Sequence, residues 1–241
     1  METFRTKLLQ KQEVAEGTQA FRFEKPQNFH FRAGQFIDLT LIDPPETDPS
    51  GSTRTFTLAS ASYENELMVA TRMRRQSVFK RTLAALPLGA EALIEGPMGS
   101  FTLHSNASKA AVPLAGGIGI TPFLSIAKQA AHERLPHRVH LFYSNRRPED
   151  ASFLETLAEM EKAKPRFRLI ATMTDMGQSK RTWSGETGFI GASMMRRHVE
   201  IPQGAIYSIA GPPGMVEAMR QMLIDAGVDP DDLRTEEFAG Y

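Results

Sequence analysis

The spacing of apolar and polar positions changes character once along this chain. Up to about residue 105, short apolar-rich runs alternate with turn residues. The runs are Phe4–Val14, Ala20–Lys25, Gln35–Ile42, Arg54–Ala59, Glu66–Arg72 and Ala90–Glu95, punctuated by Gly34, Pro44–Pro45, Gly51 and Gly89. Short strands at this spacing predict an antiparallel barrel. One helix interrupts them: Ser77 is a good N-cap, Val78, Phe79, Leu83 and Leu86 give an apolar face, and Pro87 with Gly89 ends it. The stretch Asp43–Ser52, rich in Pro, Asp and Gly, reads as an exposed loop.

From about Lys109 onward strands alternate with helices. Strands are expected at Ala111–Ala115, Arg138–Ser144, Arg168–Thr174, Ala205–Ala210 and Leu233–Phe238. Helices are expected at Pro122–Arg134, Glu149–Lys162, Ala192–His198 and Pro213–Ala226. This rhythm predicts a parallel sheet covered on both faces. The small, polar segment Leu103–Ser108 is the expected boundary, giving domains 1–105 and 106–241. Ala110–Ala127 carries no charge, but Pro113, Gly116, Gly117, Gly119 and Pro122 interrupt it. A spanning helix needs about 20 apolar residues of good helix formers, so the stretch reads as strand, turn and helix.

Composition narrows the chemistry. Lys and Arg number 28 and so do Asp and Glu, which leaves no electrostatic footprint for nucleic acid or an anionic membrane. The 241 residues contain no cysteine, excluding disulfides, thiolate zinc, a catalytic thiol and a cluster bound by their own cysteines. The first ten residues lack a signal-peptide core, and a cytoplasmic monomer is the expectation. His30, His104, His132, His137, His140 and His198 show no metal-ligand spacing; His137 and His140 are expected on opposite faces of one strand. No metal site is expected.

Five segments could carry chemistry. Ala115-Gly116-Gly117-Ile118-Gly119-Ile120-Thr121-Pro122 joins a strand to a helix, with Pro122 expected at the first helical position. Its free N–H groups suit a pyrophosphate, although such a turn also serves to pack a helix on a sheet. Arg54-Thr55-Phe56-Thr57 places Arg54 and Phe56 on one face, suiting either a phosphate-bearing ring ligand or a half-buried strand. Arg72 to Phe79 is either a phosphate cradle at a helix N-terminus or a solvated basic loop. Gly211-Pro212-Pro213-Gly214 again joins strand to helix, and Glu236-Glu237-Phe238-Ala239-Gly240-Tyr241 ends the sequence on aromatics.

Taken in order, and with Gly96-Pro97-Met98-Gly99-Ser100-Phe101 between them, these segments resemble the ferredoxin–NADP reductase family over nearly the whole chain. The resemblance implies an antiparallel Greek-key β-barrel binding FAD, followed by an α/β parallel-sheet domain binding NADPH or NADH. It implies that Arg54, Gln76, Ser77 and Val78 hold the FAD pyrophosphate. Phe56 and Phe238, or else Tyr241, would flank the flavin, and Val69, Ala70 and Thr71 would line its edge. Thr57 would lie near flavin N5, and Glu236 with Phe238 reproduces the family's acidic-x-aromatic ending. Gly116, Gly117, Gly119 and Thr121, with Gly211 and Pro212, would receive the nicotinamide end of the nucleotide. Many relatives carry cysteine where this chain has Ala210, which predicts slower turnover.

Ser144, Asn145 and Arg146 would lie at the adenosine ribose, where their donors and those of Arg147 favour NADPH; Asp175 after Thr174 argues the other way. The implied activity is hydride transfer from NAD(P)H to FAD and electron delivery to ferredoxin, flavodoxin or an oxygenase partner. A flavin or ferric-chelate reductase with a diffusible acceptor, and a flavin-bound sensor without turnover, are the alternatives. The exposed basic residues Arg72, Arg74, Arg75, Lys80 and Arg81 could dock an acidic carrier or bind FAD phosphate.

Overall fold

The computed structural model describes residues 2–200 and 204–238. Strands β1 (Thr3–Ala15), β2 (Thr18–Glu24), β3 (Phe36–Leu41), β4 (Thr53–Thr57), β5 (Glu66–Arg72) and β6 (Glu91–Met98) form one antiparallel sheet in the order β4-β3-β6-β1-β2-β5. The return of β6 between β3 and β1 is a Greek-key crossover. The outermost strands meet where the Ala59 N–H donates to the Met68 carbonyl at 2.7 Å, so the sheet curls into a barrel. Phe21, Phe23, Ile37, Leu39, Leu67 and Val69 fill it. Helix α1 (Val78–Ala85), N-capped by Ser77, adds Phe79 and Leu83 to that core.

Strands β7 (Ala110–Gly116), β8 (Val139–Asn145), β9 (Phe167–Met173), β10 (Glu186–Thr187), β11 (Ala205–Gly211) and β12 (Leu233–Glu237) form a parallel sheet ordered β10-β9-β8-β7-β11-β12. Helices α2 (Ile120–His132), α3 (Leu154–Ala163), α4 (Ala192–His198) and α5 (Pro213–Asp225) are its crossovers. The chain steps outward from β7 to β9 and then returns to β11. That reversal opens a crevice beyond the carboxyl ends of β7 and β11, the usual ligand position in such sheets.

The first two turns of α2, Ile120 to Ala127, are buried all round. The reason is tertiary: α2 packs on both the parallel sheet and the barrel. The Ser125 hydroxyl donates to the Ser60 carbonyl at 2.6 Å, and Lys128 pairs with Glu64 at 3.0 Å. A second tie joins the Glu16 N–H to the Glu149 carbonyl at 2.8 Å, beside Arg147 bridging Glu16 and the buried Asp150. Among the described residues, no helix is long and apolar enough to cross a membrane.

Four details differ from the sequence expectations. Helix α2 begins at Ile120, which makes Pro122 its third residue; the first four helical N–H groups have no partner, so proline is tolerated there as well. Helix α3 begins at Leu154 rather than Glu149, because a 3₁₀ turn at Pro148–Asp150 and a left-handed Phe153 (φ 60°) precede it. The two-residue strand β10 is too short to carry a pattern. Strand β8 starts after His137, so that ring is not set by strand alternation; its Nε2 lies 2.9 Å from the His104 carbonyl.

Candidate active site

Strand β4 carries the first half of the site. Phe56 is buried in the barrel core with its ring 5.9 Å from that of Phe79. Arg54 lies outside, its guanidinium carbon 5.2 Å from the centre of the Phe79 ring, next to the N-terminus of α1. The loop before β4 holds it: one terminal nitrogen donates to the carbonyls of Ser50, Gly51 and Thr53, and the other to Asp48 at 2.5 Å. Arg54 in turn keeps the Asp48 carboxyl below the usual carboxylate range.

Ser77 accepts from the Lys80 N–H at 3.3 Å, the N-cap bond expected from the sequence, with Gln76 and Val78 on either side. The Lys80 ammonium donates to the Arg72 carbonyl at 3.0 Å; burial first, then Arg74 and Arg54, lowers its pKa to about 8. Val69, Ala70 and Thr71 follow Met68 on β5, the outermost strand of the sheet order. A fixed guanidinium, a capped helix N-terminus, nearby cations and an outer strand edge suit a diphosphate attached to a flat ring. These residues fit FAD.

The second half is a cleft of about 520 Å³ at the switch point of the parallel sheet, lined by Gly117, Ser144, Arg146, Thr174, Phe189 and Pro212 among others. Its glycines do different work. Gly117 has φ +55° and open space where a side chain would project. A Cβ on Gly119 would collide with the backbone at Ala210, and one on Gly116 with the Met215 thioether. A Cβ on Gly211 would lie 3.2 Å from Gly116 Cα. Gly119 and Gly116 therefore set helix–strand packing, Gly211 sets the approach of β11 to β7, and Gly117 is the position left open to a ligand. Thr121 is buried and donates to the Ile118 carbonyl at 3.1 Å.

At the carboxyl end of β8, Asn145 is buried and Arg146 reaches Asp175 at 3.1 Å. Arg147 grips Asp150 with two nitrogens, at 2.9 and 3.0 Å. Both arginines behind the NADPH expectation are thus paired with carboxylates. The two pairs differ in strength. Arg146–Asp175 is exposed, a pair of the kind worth about 0–1 kcal/mol, whereas Asp150 is buried and its bonds to Arg147 are fixed.

The halves meet at β12. Its last residues run beside β11, with Ala210 opposite Glu236, and the Phe238 N–H donates to the Gly211 carbonyl at 3.0 Å. The Thr57 hydroxyl lies 3.4 Å from Glu236 Oε1, while Oε2 is buried without a partner. A bond of 3.4 Å is long, so desolvation outweighs it and burial pushes the Glu236 carboxyl up to about 7. That carboxyl can hold or release a proton near neutral pH. Tyr241 lies outside the described residues.

Two site residues escaped the sequence reading. Asp48 lay in a loop expected to be exposed, and nothing local signals its bond to Arg54. Phe189 lines the cleft yet is 82% exposed, the most exposed of the large apolar side chains among the described residues. Its setting, Gly188-Phe189-Ile190-Gly191, was the available signal.

Fold and site together define an oxidoreductase with one seat for a flavin nucleotide and another for a nicotinamide nucleotide. Residues 5–103 match the oxidoreductase FAD-binding domain family, and residues 114–221 match the oxidoreductase NAD-binding domain family. The chain belongs to the ferredoxin–NADP reductase-like flavoprotein reductases.

The chain is similar to the reductase component of propane 2-monooxygenase from Mycolicibacterium smegmatis, with 29% identity over 86% of this chain and 59% of that protein. It thus spans about three-fifths of that relative's length. NADH-cytochrome b5 reductase 1 from Eremothecium gossypii is 28% identical over 92% of this chain and 78% of its own length. The crystal structure of a ferredoxin NADP+ reductase from Neisseria gonorrhoeae with bound FAD and NADP superposes with a TM-score of 0.81. It has 23% identity, with coverage of 98% of this chain and 99% of that one.

Proposed function

We propose that this chain is the reductase of an electron-transfer pair, taking hydride from a nicotinamide nucleotide and delivering electrons to a protein carrier. The observation that carries this is the junction at β12. Glu236, on the strand beside the nucleotide cleft, touches Thr57, on the strand that carries Arg54 and Phe56. When bound, FAD supplies acceptance of the hydride and release of electrons singly or in pairs.

The chain's own residues bind and orient. Arg54 with the N-terminal turn at Gln76, Ser77 and Val78 holds the FAD diphosphate. Phe238 flanks the ring; Phe56, expected against the flavin, backs the seat from the barrel core instead, and Val69, Ala70 and Thr71 follow the ring's edge. Thr57 and Glu236 would lie at the ring's hydride-accepting nitrogen, where Glu236 would take the proton released as the electrons leave. Gly116, Gly117 and Pro212 line the nicotinamide end of the cleft, with Gly119, Thr121 and Gly211 packed behind them. Ser144, Asn145 and Arg146 form the ribose end, Arg72 reaches the cleft from the barrel, and Phe189 offers a face to the adenine. Phe238 must yield before a nicotinamide can stack on the ring.

NADH is the better donor in this reading, because the Asp175 carboxylate would repel a 2′-phosphate and accept a bond from a 2′-hydroxyl. The acceptor is a ferredoxin, flavodoxin-like or oxygenase partner; one relative is named as the reductase component of a monooxygenase and another as a reductase of cytochrome b5, and Arg74 and Arg75 are exposed beside the FAD seat. A chain without cysteine suits the reducing cytoplasm. Anaerobic titration of the FAD-loaded protein with NADH, and separately with NADPH, tests the reading. Bleaching of the flavin absorbance by NADH supports it, and a flavin that neither nucleotide bleaches would overturn it.

A further inference from the structure

A second cavity lies at the end of the parallel sheet opposite the nucleotide cleft. It holds about 220 Å³ and sits where α2 and α3 end and β8 and β9 begin. Its wall is apolar: Ala127, Ala131, Leu135, Val139, Met160 and Phe167. That volume is below the usual range of about 300–1,000 Å³ for drug-sized ligands and suits a single ring.

Its polar groups all ask for one kind of ligand. Arg134, Lys164 and Arg166 line it, and no carboxylate does. Lys164 and Arg166 are steadied by bonds to the Ala131 and Pro136 carbonyls at 3.4 and 2.7 Å. Arg134 makes no ion pair among the described residues, and its backbone stands in the left-handed region at φ 54°, unusual for a residue with a side chain. His137 also lines the cavity and is only 7% exposed. Its Nε2 is bonded to the His104 carbonyl, which requires a proton there. Its Nδ1 is buried without a partner and is closed to the cavity, so the cations are the groups a ligand would meet.

We propose that this cavity is a binding site for a small aromatic carboxylate. The ring fills the apolar wall and the carboxylate meets Arg134, with Lys164 and Arg166 beside it. Occupancy would be felt at the segment joining the two sheets, because His137 is bonded to His104 and the same segment is tied to β12 by Arg234 donating to the Thr102 carbonyl at 3.1 Å. The inference does not depend on which nucleotide or acceptor the chain uses.

Calorimetry of the FAD-loaded full chain with benzoate tests it. A ligand of this size should bind one to one with a Kd of about a millimolar or tighter. Arg134→Gln, and replacement of the ligand by uncharged benzyl alcohol, should each weaken binding at least about tenfold. Ala131→Phe, which fills the cavity, should abolish it, and saturating NADH should leave it unchanged. Absence of saturation at about ten times the expected Kd would overturn the proposal. So would wild-type affinity in both variants, or displacement by NADH, which would place the ligand in the nucleotide cleft. Arg134 is exposed, so its variant keeps the test valid even where Ala131→Phe fails to fold.

Discussion

The Thr57 hydroxyl on the barrel faces the Glu236 carboxylate on the last strand of the parallel sheet at 3.4 Å, although 179 positions separate them in the chain. This contact joins the two nucleotide seats. It also fixes how the molecule should respond to pH.

Burial raises the Glu236 carboxyl to about 7, above its ordinary value of 4.5. A raised carboxyl contributes stability that is complete below its unfolded pKa and is lost as pH rises through the folded value. Glu236→Gln should therefore flatten the stability–pH curve between pH 4.5 and about 7, and melt at a higher temperature than wild type above pH 7. If Glu236 accepts the proton released as electrons leave the flavin, wild-type turnover should rise as pH rises through about 7, and the variant should lose roughly a hundredfold with no such limb. Melting and turnover measured from pH 5 to 9 check both.

Arg54 is held by four bonds from its own loop and is aimed beside the capped N-terminus of α1. Arg54→Ala removes a charge-assisted partner of a diphosphate, so FAD affinity should drop about tenfold to a hundredfold. Fluorescence titration of the apoprotein reads this directly. Equal affinity in variant and wild type would remove Arg54 from the seat.

The glycine turn should separate by substitution. Gly119→Ala drives a methyl group into the Ala210 backbone and should cost about 1–3 kcal/mol of stability. Gly117→Ala meets no atom but must adopt φ +55°, so it should cost about 1 kcal/mol and act chiefly on the KM for nucleotide. Gly116→Ala displaces the flexible Met215 side chain and should fall between them. Melting temperatures beside steady-state kinetics resolve the order.

Asp175 pairs with Arg146 on the exposed lip of the cleft. Asp175→Asn keeps a hydrogen-bonding group but removes the charge facing a 2′-phosphate. The kcat/KM ratio of NADH to NADPH should exceed one in the wild type and fall at least about tenfold in the variant. A ratio that does not move would mean that this pair lies away from the ribose.

Phe189 is 82% exposed at the cleft. If adenine stacks on it, Phe189→Ala should raise the nucleotide KM about tenfold and leave kcat unchanged, since aromatic–base stacking is worth about 1–3 kcal/mol. A fall in kcat alone would point to a role at the nicotinamide end instead.

The sequence by itself determined what depends on neighbours in the chain. Ser77 caps its helix because a serine hydroxyl reaches the N–H three residues on. The β–α rhythm after residue 109 dictated a parallel sheet, since its apolar runs must be covered on both faces. The glycine-rich segment 116–119 was legible as a strand-to-helix turn because glycine permits backbone conformations that side chains disfavour; that Gly117 is the one with open space before it came from the structure.

What the tertiary structure decided is every relation between distant segments. Residue type and spacing do not show that Asp48 holds Arg54, that Asp175 answers Arg146, or that His137 meets His104. Nor do they show that Gly119 faces a strand backbone rather than a ligand. The Glu236 pKa belongs to the same class, because desolvation is set by which segments pack over a carboxyl. Local periodicity fixes dihedral angles and faces; long-range packing alone fixes which faces and charges meet.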